Sequence, residues 1–255
     1  MKQLQEKSAI VTGGASGVGK AVAQRFASEG AAVTIADTNI DAAKALAESL
    51  NTQGWLAQAV NTNVANPDSV DAMVDATVSA FGGLDIIVNS AAIARVERIL
   101  DISLESWNEV LATNLSGVFL CAQAAARYMQ THGGGRIINV SSVNGQRAVT
   151  GRGAYAVAKG GLEMLTRIMA AELGEYDITV NNIAPAPVDT PMILKMHTES
   201  TRAHWYRNLP IKRYAKPEEV AGAALFLASP DAAYVSGHTL NIDGGFNAAG
   251  LLLDL

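Results

Sequence analysis

The polar and apolar positions of this chain fall into a repeating pattern. Short runs rich in β-branched residues stand at 9–13, 32–37, 56–61, 84–90, 136–142, 178–185 and 238–243. Between them lie stretches with apolar residues at helical spacing, near 18–29, 41–51, 67–81, 106–131, 154–174 and 217–228. Two helix starts are marked chemically, by Asn66-Pro67-Asp68 and by Lys216-Pro217-Glu218-Glu219. About seven strands alternating with helices predict an α/β fold: a doubly wound parallel sheet with helices on both faces and right-handed crossovers. No Pro/Gly/Ser linker divides the chain, so residues 1–255 read as a single domain. The rhythm breaks at 190–215, a long irregular insertion between the sixth strand and the last helix. In a compact α/β domain such an insertion is usually functional.

Composition narrows the classes. The 255 residues are 49% hydrophobic and 17% charged, which fits a globular chain. The net charge of −5 lacks the basic balance that nucleic-acid binding needs. No continuous apolar run approaches the ~20 residues of a membrane span, and no signal-type apolar segment precedes the first strand. Cys121, the single cysteine, lies in an apolar helical pattern and reads as core; one cysteine excludes an internal disulfide framework. Trp55 and Trp107 read as packing residues. A cytoplasmic protein is the expectation.

The first strand runs into Gly13, Gly17 and Gly19, spaced G-x-x-x-G-x-G, and then into the first helix. Glycines there let the backbone approach a ligand closely, and the helix N-terminus offers free N–H groups to a phosphate. The pattern is weak alone but lies in the strand–turn–helix context it requires. Asp37 ends the second strand, 18 residues after Gly19. A carboxylate there accepts hydrogen bonds from ribose hydroxyls and repels a 2′-phosphate. Thr38 and Asn39 beside it are neutral, which favours NAD over NADP; the alternative for Asp37 is a turn or cap residue.

In an open parallel sheet, ligands sit beyond the C-terminal strand ends. Asn89, Ser90, Ser141, Ser142, Asn181 and Asn182 collect there. Tyr155 and Lys159 are four apart and share one helix face. Beside an ammonium and a positive nicotinamide ring, a phenol is expected to titrate below its usual value, and so to act as general base on an alcohol or acid on a ketone. Ser142 is placed to polarise the substrate oxygen. The alternatives are a core tyrosine and a solvated lysine.

Together, "TGGASGVG" at 12–19, Asn114 in "ATNLSGVF", Ser142 and "YAVAK" at 155–159 resemble the short-chain dehydrogenase/reductase family, and the resemblance extends over residues 8–246. It implies a single Rossmann-type domain, a nicotinamide cofactor, hydride transfer and a homotetramer. It implies Tyr155 as acid/base, Lys159 as ribose ligand and tuner of the tyrosine, Ser142 as substrate-orienting group, and Asn114 as holder of a water in a proton relay. Ser142 rather than Ser141 matches, lying 13 residues before the tyrosine. Cofactor contacts are implied at Gly13, Ser16, Gly17, Val18, Gly19, Asp37, Asn63, Val64, Asn89, Ala91, Tyr155, Lys159, Pro185, Val188 and Thr190.

The chain departs from the family pattern at three loops. Asn89-Ser90-Ala91-Ala92 replaces Asn-Asn-Ala-Gly, so a methyl at Ala92 is expected to crowd the loop. Asn63-Val64 replaces Asp-Val, with little expected loss. Pro185-Ala186-Pro187 replaces Pro-Gly, which predicts a stiffer loop beside the nicotinamide.

The 190–215 insertion resembles the family's substrate lid and carries His197, Arg202, His204, Trp205, Tyr206 and Arg207. The other reading is a solvated or subunit-facing helix. No spacing argues for a metal site. Arg152, three residues before Tyr155, is a candidate ligand for an anionic substrate group, with a surface or interface arginine as the alternative. The leucines at 251–253 are expected to be buried at a subunit interface. The leading expectation is an NAD-dependent dehydrogenase of a small secondary alcohol, polyol or hydroxy acid. The alternatives are an oxoacyl-thioester reductase, a class that generally prefers NADPH, and a catalytically silent NAD-binding protein.

Overall fold

A computed structural model of the chain describes residues 2–250 and Leu252. The expected burial of the leucines at 251–253 rests largely on residues outside that set.

Seven strands form one parallel sheet in the order β3-β2-β1-β4-β5-β6-β7. They are β1 (Ser8–Thr12), β2 (Ala32–Asp37), β3 (Ala57–Asn61), β4 (Ile86–Asn89), β5 (Gly135–Val140), β6 (Ile178–Pro185) and β7 (Thr239–Ile242). The helices are α1 (Gly17–Ser28), α2 (Ile40–Thr52), α3 (Pro67–Phe81), α4 (Leu104–Leu111), α5 (Gly117–Met129), α6 (Gly153–Leu173), α7 (Pro191–Met196), α8 (Glu199–Asn208) and α9 (Pro217–Ala228). The expected doubly wound architecture is observed. Strand order reverses between β1 and β4, which opens a crevice at their C-terminal ends.

Alternation along the strands divides the core in two. Ala9, Val11, Ile86 and Val88 face a cluster with α1, α2 and α9. Ile10, Ile87 and Ile137 face one with α3, α5 and α6, which also buries Cys121. Trp55 packs on the first cluster, as expected. Both marked helix starts are real: Asn66 accepts from the Ser69 N–H at 3.1 Å, and Glu219 accepts from the Lys216 N–H at 2.7 Å.

Two segments differ from expectation. The stretch read as one helix over 106–131 is two α-helices joined by a π-helical turn, Ala112–Ser116, that carries Asn114. With α4 and α5 it forms a continuous helical run, Leu104–Met129, long and apolar enough to cross a membrane. Cys121, Ala122, Ala125 and Met129 nonetheless pack into the core, where the helix lies on the sheet. The 190–215 insertion is not irregular: it folds into α7 and α8. Thr190 and Thr198 cap these helices through their side chains. A third cluster holds the insertion down, with Leu209 and Tyr214 buried against Val143 and Ala186 and with Trp205, Tyr206 and Phe246 around them.

Candidate active site

The crevice is a cavity of about 380 Å³. One end is the turn after β1. Gly13 has φ 62°, and a Cβ on it would stand 2.8 Å from the Ala91 Cα. A Cβ on Gly19 would stand 2.2 Å from the Gly13 carbonyl oxygen. Only glycine permits this coil, and the coil leaves the α1 N-terminus open to the cavity. Ser16, Gly17, Val18, Asp37, Asn63, Val64 and Ala91 line the same end. Asp37 accepts from the Ala15 N–H at 3.0 Å and from the Asn39 N–H at 2.9 Å, which fixes its carboxylate at the mouth. A glycine cradle, a free helix N-terminus and an anchored carboxylate suit a dinucleotide.

The other end carries the reactive groups. Ser142, Arg152, Tyr155, Lys159, Pro185, Val188 and Thr190 line it, under Met196, His197 and Trp205 of the insertion. Ser141 and Ser142 both border the cavity but bond differently. The Ser141 hydroxyl donates to the Lys159 carbonyl oxygen at 3.2 Å, while the Ser142 hydroxyl accepts from the Asn144 N–H at 3.2 Å and stands beside the Tyr155 phenol. Burial raises the Tyr155 phenol; the Ser142 hydroxyl and then the Arg152 guanidinium act against that without overcoming it.

Lys159, expected to tune Tyr155, stands beside its ring. Its ammonium donates to the Val140 carbonyl oxygen at 2.6 Å and lies 5.7 Å from the centre of the tyrosine ring. Arg152 is a second cation near the phenol and favours the phenolate. Burial pulls the Lys159 ammonium itself down to about 8.

Asn89 and Asn114 are not on the cavity wall. The Asn114 side chain is fully buried and clamps the loop after β4. It accepts from the Ile93 N–H at 2.9 Å and donates to the Ile93 carbonyl oxygen at 2.7 Å. Asn89, expected to contact cofactor, donates instead to Asn139 Oδ1 at 2.8 Å. Asn139 donates to Thr166, Thr166 to Asn182, and Asn182 to Thr239, so a buried polar chain crosses β4, β5, α6, β6 and β7. Asn139 and Thr166 were not singled out in the sequence, because each sits inside an otherwise ordinary strand or helix pattern.

The altered loops are accommodated. Ala92 and Ala186 have negative φ, so neither needs glycine. Ala186 donates to the Ile242 carbonyl oxygen at 3.2 Å, and the Pro187 carbonyl accepts from the Ala215 N–H at 3.0 Å. The loop is thus tied on both sides. Arg152 is only 8% exposed, which excludes a solvated surface arginine. No cluster of three or more His, Cys, Asp or Glu able to hold a metal ion occurs among the described residues.

A parallel sheet with a nicotinamide-type cleft and a serine–tyrosine–lysine wall defines an oxidoreductase acting on CH–OH groups. The chain belongs to the short-chain dehydrogenase/reductase family, whose members bind a nicotinamide cofactor. Residues 13–247 match the family model described as Enoyl-(Acyl carrier protein) reductase. The chain is 39% identical to a 3-oxoacyl-[acyl-carrier-protein] reductase of Synechocystis, over 96% of this chain and 98% of that one. It is 40% identical to the cis-4-hydroxycyclohexanecarboxylate dehydrogenase of Sinomonas cyclohexanicum, over 95% and 97%. Among solved structures, a 7α-hydroxysteroid dehydrogenase complexed with NADH and 7-oxo glycochenodeoxycholic acid superposes with a TM-score of 0.93 at 33% identity, covering 95% of each chain.

Proposed function

We propose that this protein is an NAD-dependent dehydrogenase that moves a hydride between NAD(H) and a small secondary alcohol or ketone: a polyol, sugar alcohol or hydroxy acid. The observation that carries the reading is the convergence of Ser142, Tyr155 and Lys159 on one end of a cavity whose other end is the glycine turn and Asp37. When bound there, the nicotinamide supplies the hydride acceptor or donor. The chain does the rest. Tyr155 takes the alcohol proton, or returns it to a ketone oxygen, and Ser142 donates to that oxygen and orients it. Lys159 holds the ribose, and Asn114 fixes the loop that carries Ala91 and Ile93. Contacts from Gly13, Ser16, Gly17, Val18 and Gly19 to the phosphates, and from Asn63, Val64, Pro185, Val188 and Thr190 to the ring ends, belong to the same reading.

Two features support NAD. Asp37 presents a carboxylate where a 2′-phosphate would sit, and the cationic residues lining the cavity, Arg152 and Lys159, lie at the opposite end. Titration with NADH and NADPH tests this: NADH is expected to bind much more tightly, and tighter NADPH binding would overturn it. The second reading, a 3-oxoacyl-thioester reductase using NADPH, is favoured by the name of the Synechocystis relative. The Sinomonas relative, named for a hydroxy acid, favours the first. NADH formation over a panel of alcohols, sugars and hydroxy acids, beside NADPH consumption with an acyl thioester, separates the two. A silent NAD-binding protein would turn over neither.

The same reading includes a homotetramer in the cytoplasm. Phe119 on α5 and Val157, Met164 and Ile168 on α6 are large apolar side chains left exposed, which supports self-association. The buried thiol of Cys121, with no disulfide partner, suits a reducing compartment. Light scattering that returns a monomer would contradict the assembly.

A further inference from the structure

Arg152 is a buried cation without an anion. None of the ion pairs among the described residues includes it. Its guanidinium donates to the His197 Nε2 at 3.1 Å and approaches the Met196 sulfur at 3.8 Å. A guanidinium has no acceptor, so the His197 Nε2 must be the lone-pair nitrogen. The Nδ1 then carries the proton, donated to the Tyr214 hydroxyl at 2.8 Å. His197 cannot become a second cation without breaking this arrangement, and burial, Arg152 and Arg202 pull it down to about 4. The other charges around the imidazole balance: Arg202 lies 4.5 Å over the Tyr214 ring and is paired with Asp189 at 3.0 Å. Burial pushes Tyr214 up to about 12, so it stays neutral. Beside the imidazole, Arg152 is left as a positive charge with no anion, and burying such a charge unpaired is expensive.

We propose that Arg152 is the anion-recognition residue of this site and that the substrate is a small hydroxy acid or oxo acid, whose carboxylate takes the guanidinium hydrogen bond that His197 now accepts. The inference rests on the dehydrogenase reading for the reacting carbon, and adds the substrate class. A planar fork suits a carboxylate bidentately. Arg152 caps α6 and Tyr155 stands one turn on, so the anion and the reacting hydroxyl are held close together. That spacing fits an acid with the carboxylate a few bonds from the carbinol. His197 is the placeholder, joined through Tyr214 to the cluster that anchors the insertion, so anion binding at Arg152 and seating of α7 are linked.

The test uses the NADH-loaded enzyme and needs no turnover. Butanoate and butanamide are titrated calorimetrically. Butanoate is expected to bind and the isosteric amide to bind at least about tenfold more weakly, the usual worth of a charged hydrogen bond. Arg152→Gln should remove that preference, and Arg152→Lys, which keeps a charge but loses the fork, should retain part of it. Retained NADH affinity in each variant checks folding. Equal binding of acid and amide by the wild-type enzyme overturns the proposal, as does an equal loss of both in Arg152→Gln. Kinetics with 3-hydroxybutanoate and its methyl ester add the functional arm: Arg152→Gln should lower kcat/KM for the acid far more than for the ester. A butanoate preference with no NADH formation from any alcohol would sink the dehydrogenase reading and leave the anion site standing. Turnover of neutral alcohols without a butanoate preference would do the reverse.

Discussion

Lys159 is 2% exposed and its ammonium is pulled from 10.5 to about 8 by burial alone. That displacement is a folding penalty of about 3 kcal/mol while the group is charged. Its compensation is one hydrogen bond to the Val140 carbonyl oxygen. Lys159→Met keeps the length and removes the charge. The variant escapes the penalty but orphans the Val140 carbonyl, at a cost of about 1 kcal/mol. The net expectation at pH 7 is a gain of about 2 kcal/mol, or ~4–8 °C in Tm for a chain of this size. The pH dependence follows from the sign of the shift. The folded value lies below the unfolded one, so between about pH 8 and 10.5 the unfolded state binds more protons, and wild-type stability gains as pH rises. Below pH 8 both states are protonated and the penalty is constant. The advantage of Lys159→Met is therefore full at pH 7 and lost through pH 8–10.5. Thermal denaturation of the cofactor-free protein at several pH values, at one protein concentration, measures this. A variant less stable than wild type at pH 7, or a difference that does not change with pH, would refute the reasoning. The same variant should lose catalysis, since the lysine is kept for the site and not for the fold.

Other consequences are as specific. Asn139→Leu leaves the Asn89 side chain without a partner, since the Asn89 Oδ1 is already unpaired, and should cost about 2–4 kcal/mol in urea unfolding. The double variant with Asn89→Leu should recover part of that loss; strictly additive losses would argue against the polar chain. In alcohol oxidation Tyr155 must accept the proton, so kcat/KM should rise with pH, and ketone reduction, which needs the phenol, should fall. The Ser142 hydroxyl lowers the Tyr155 phenol, so Ser142→Ala should move both profiles to higher pH; profiles left in place would deny Ser142 that role.

Much of this was legible in the sequence because it is local. Strands betray themselves by short β-branched runs, and the glycine turn, Asp37, Ser142, Tyr155 and Lys159 lie at strand ends or on one helix face. What was not legible depends on partners far along the chain. Asn139 reads as one polar position in β5 until β4, α6 and β6 bring Asn89, Thr166 and Asn182 beside it. The aim of Lys159 at Val140 requires the distance between α6 and β5. The burial of Arg152 is decided by His197, 45 residues on, and by an insertion whose first helix is only six residues long and whose second is too polar to announce itself. The π-turn at 112–116 has no sequence signature, since the helical period reads on through it.

The most direct test of the central claim is Tyr155→Phe. NADH affinity is measured by titration, and NADH formation is measured over the alcohol and hydroxy-acid panel. The account predicts turnover by the wild-type enzyme, a loss of at least ~100-fold in the variant, and nearly unchanged NADH binding. A variant that turns over as well as wild type would contradict it.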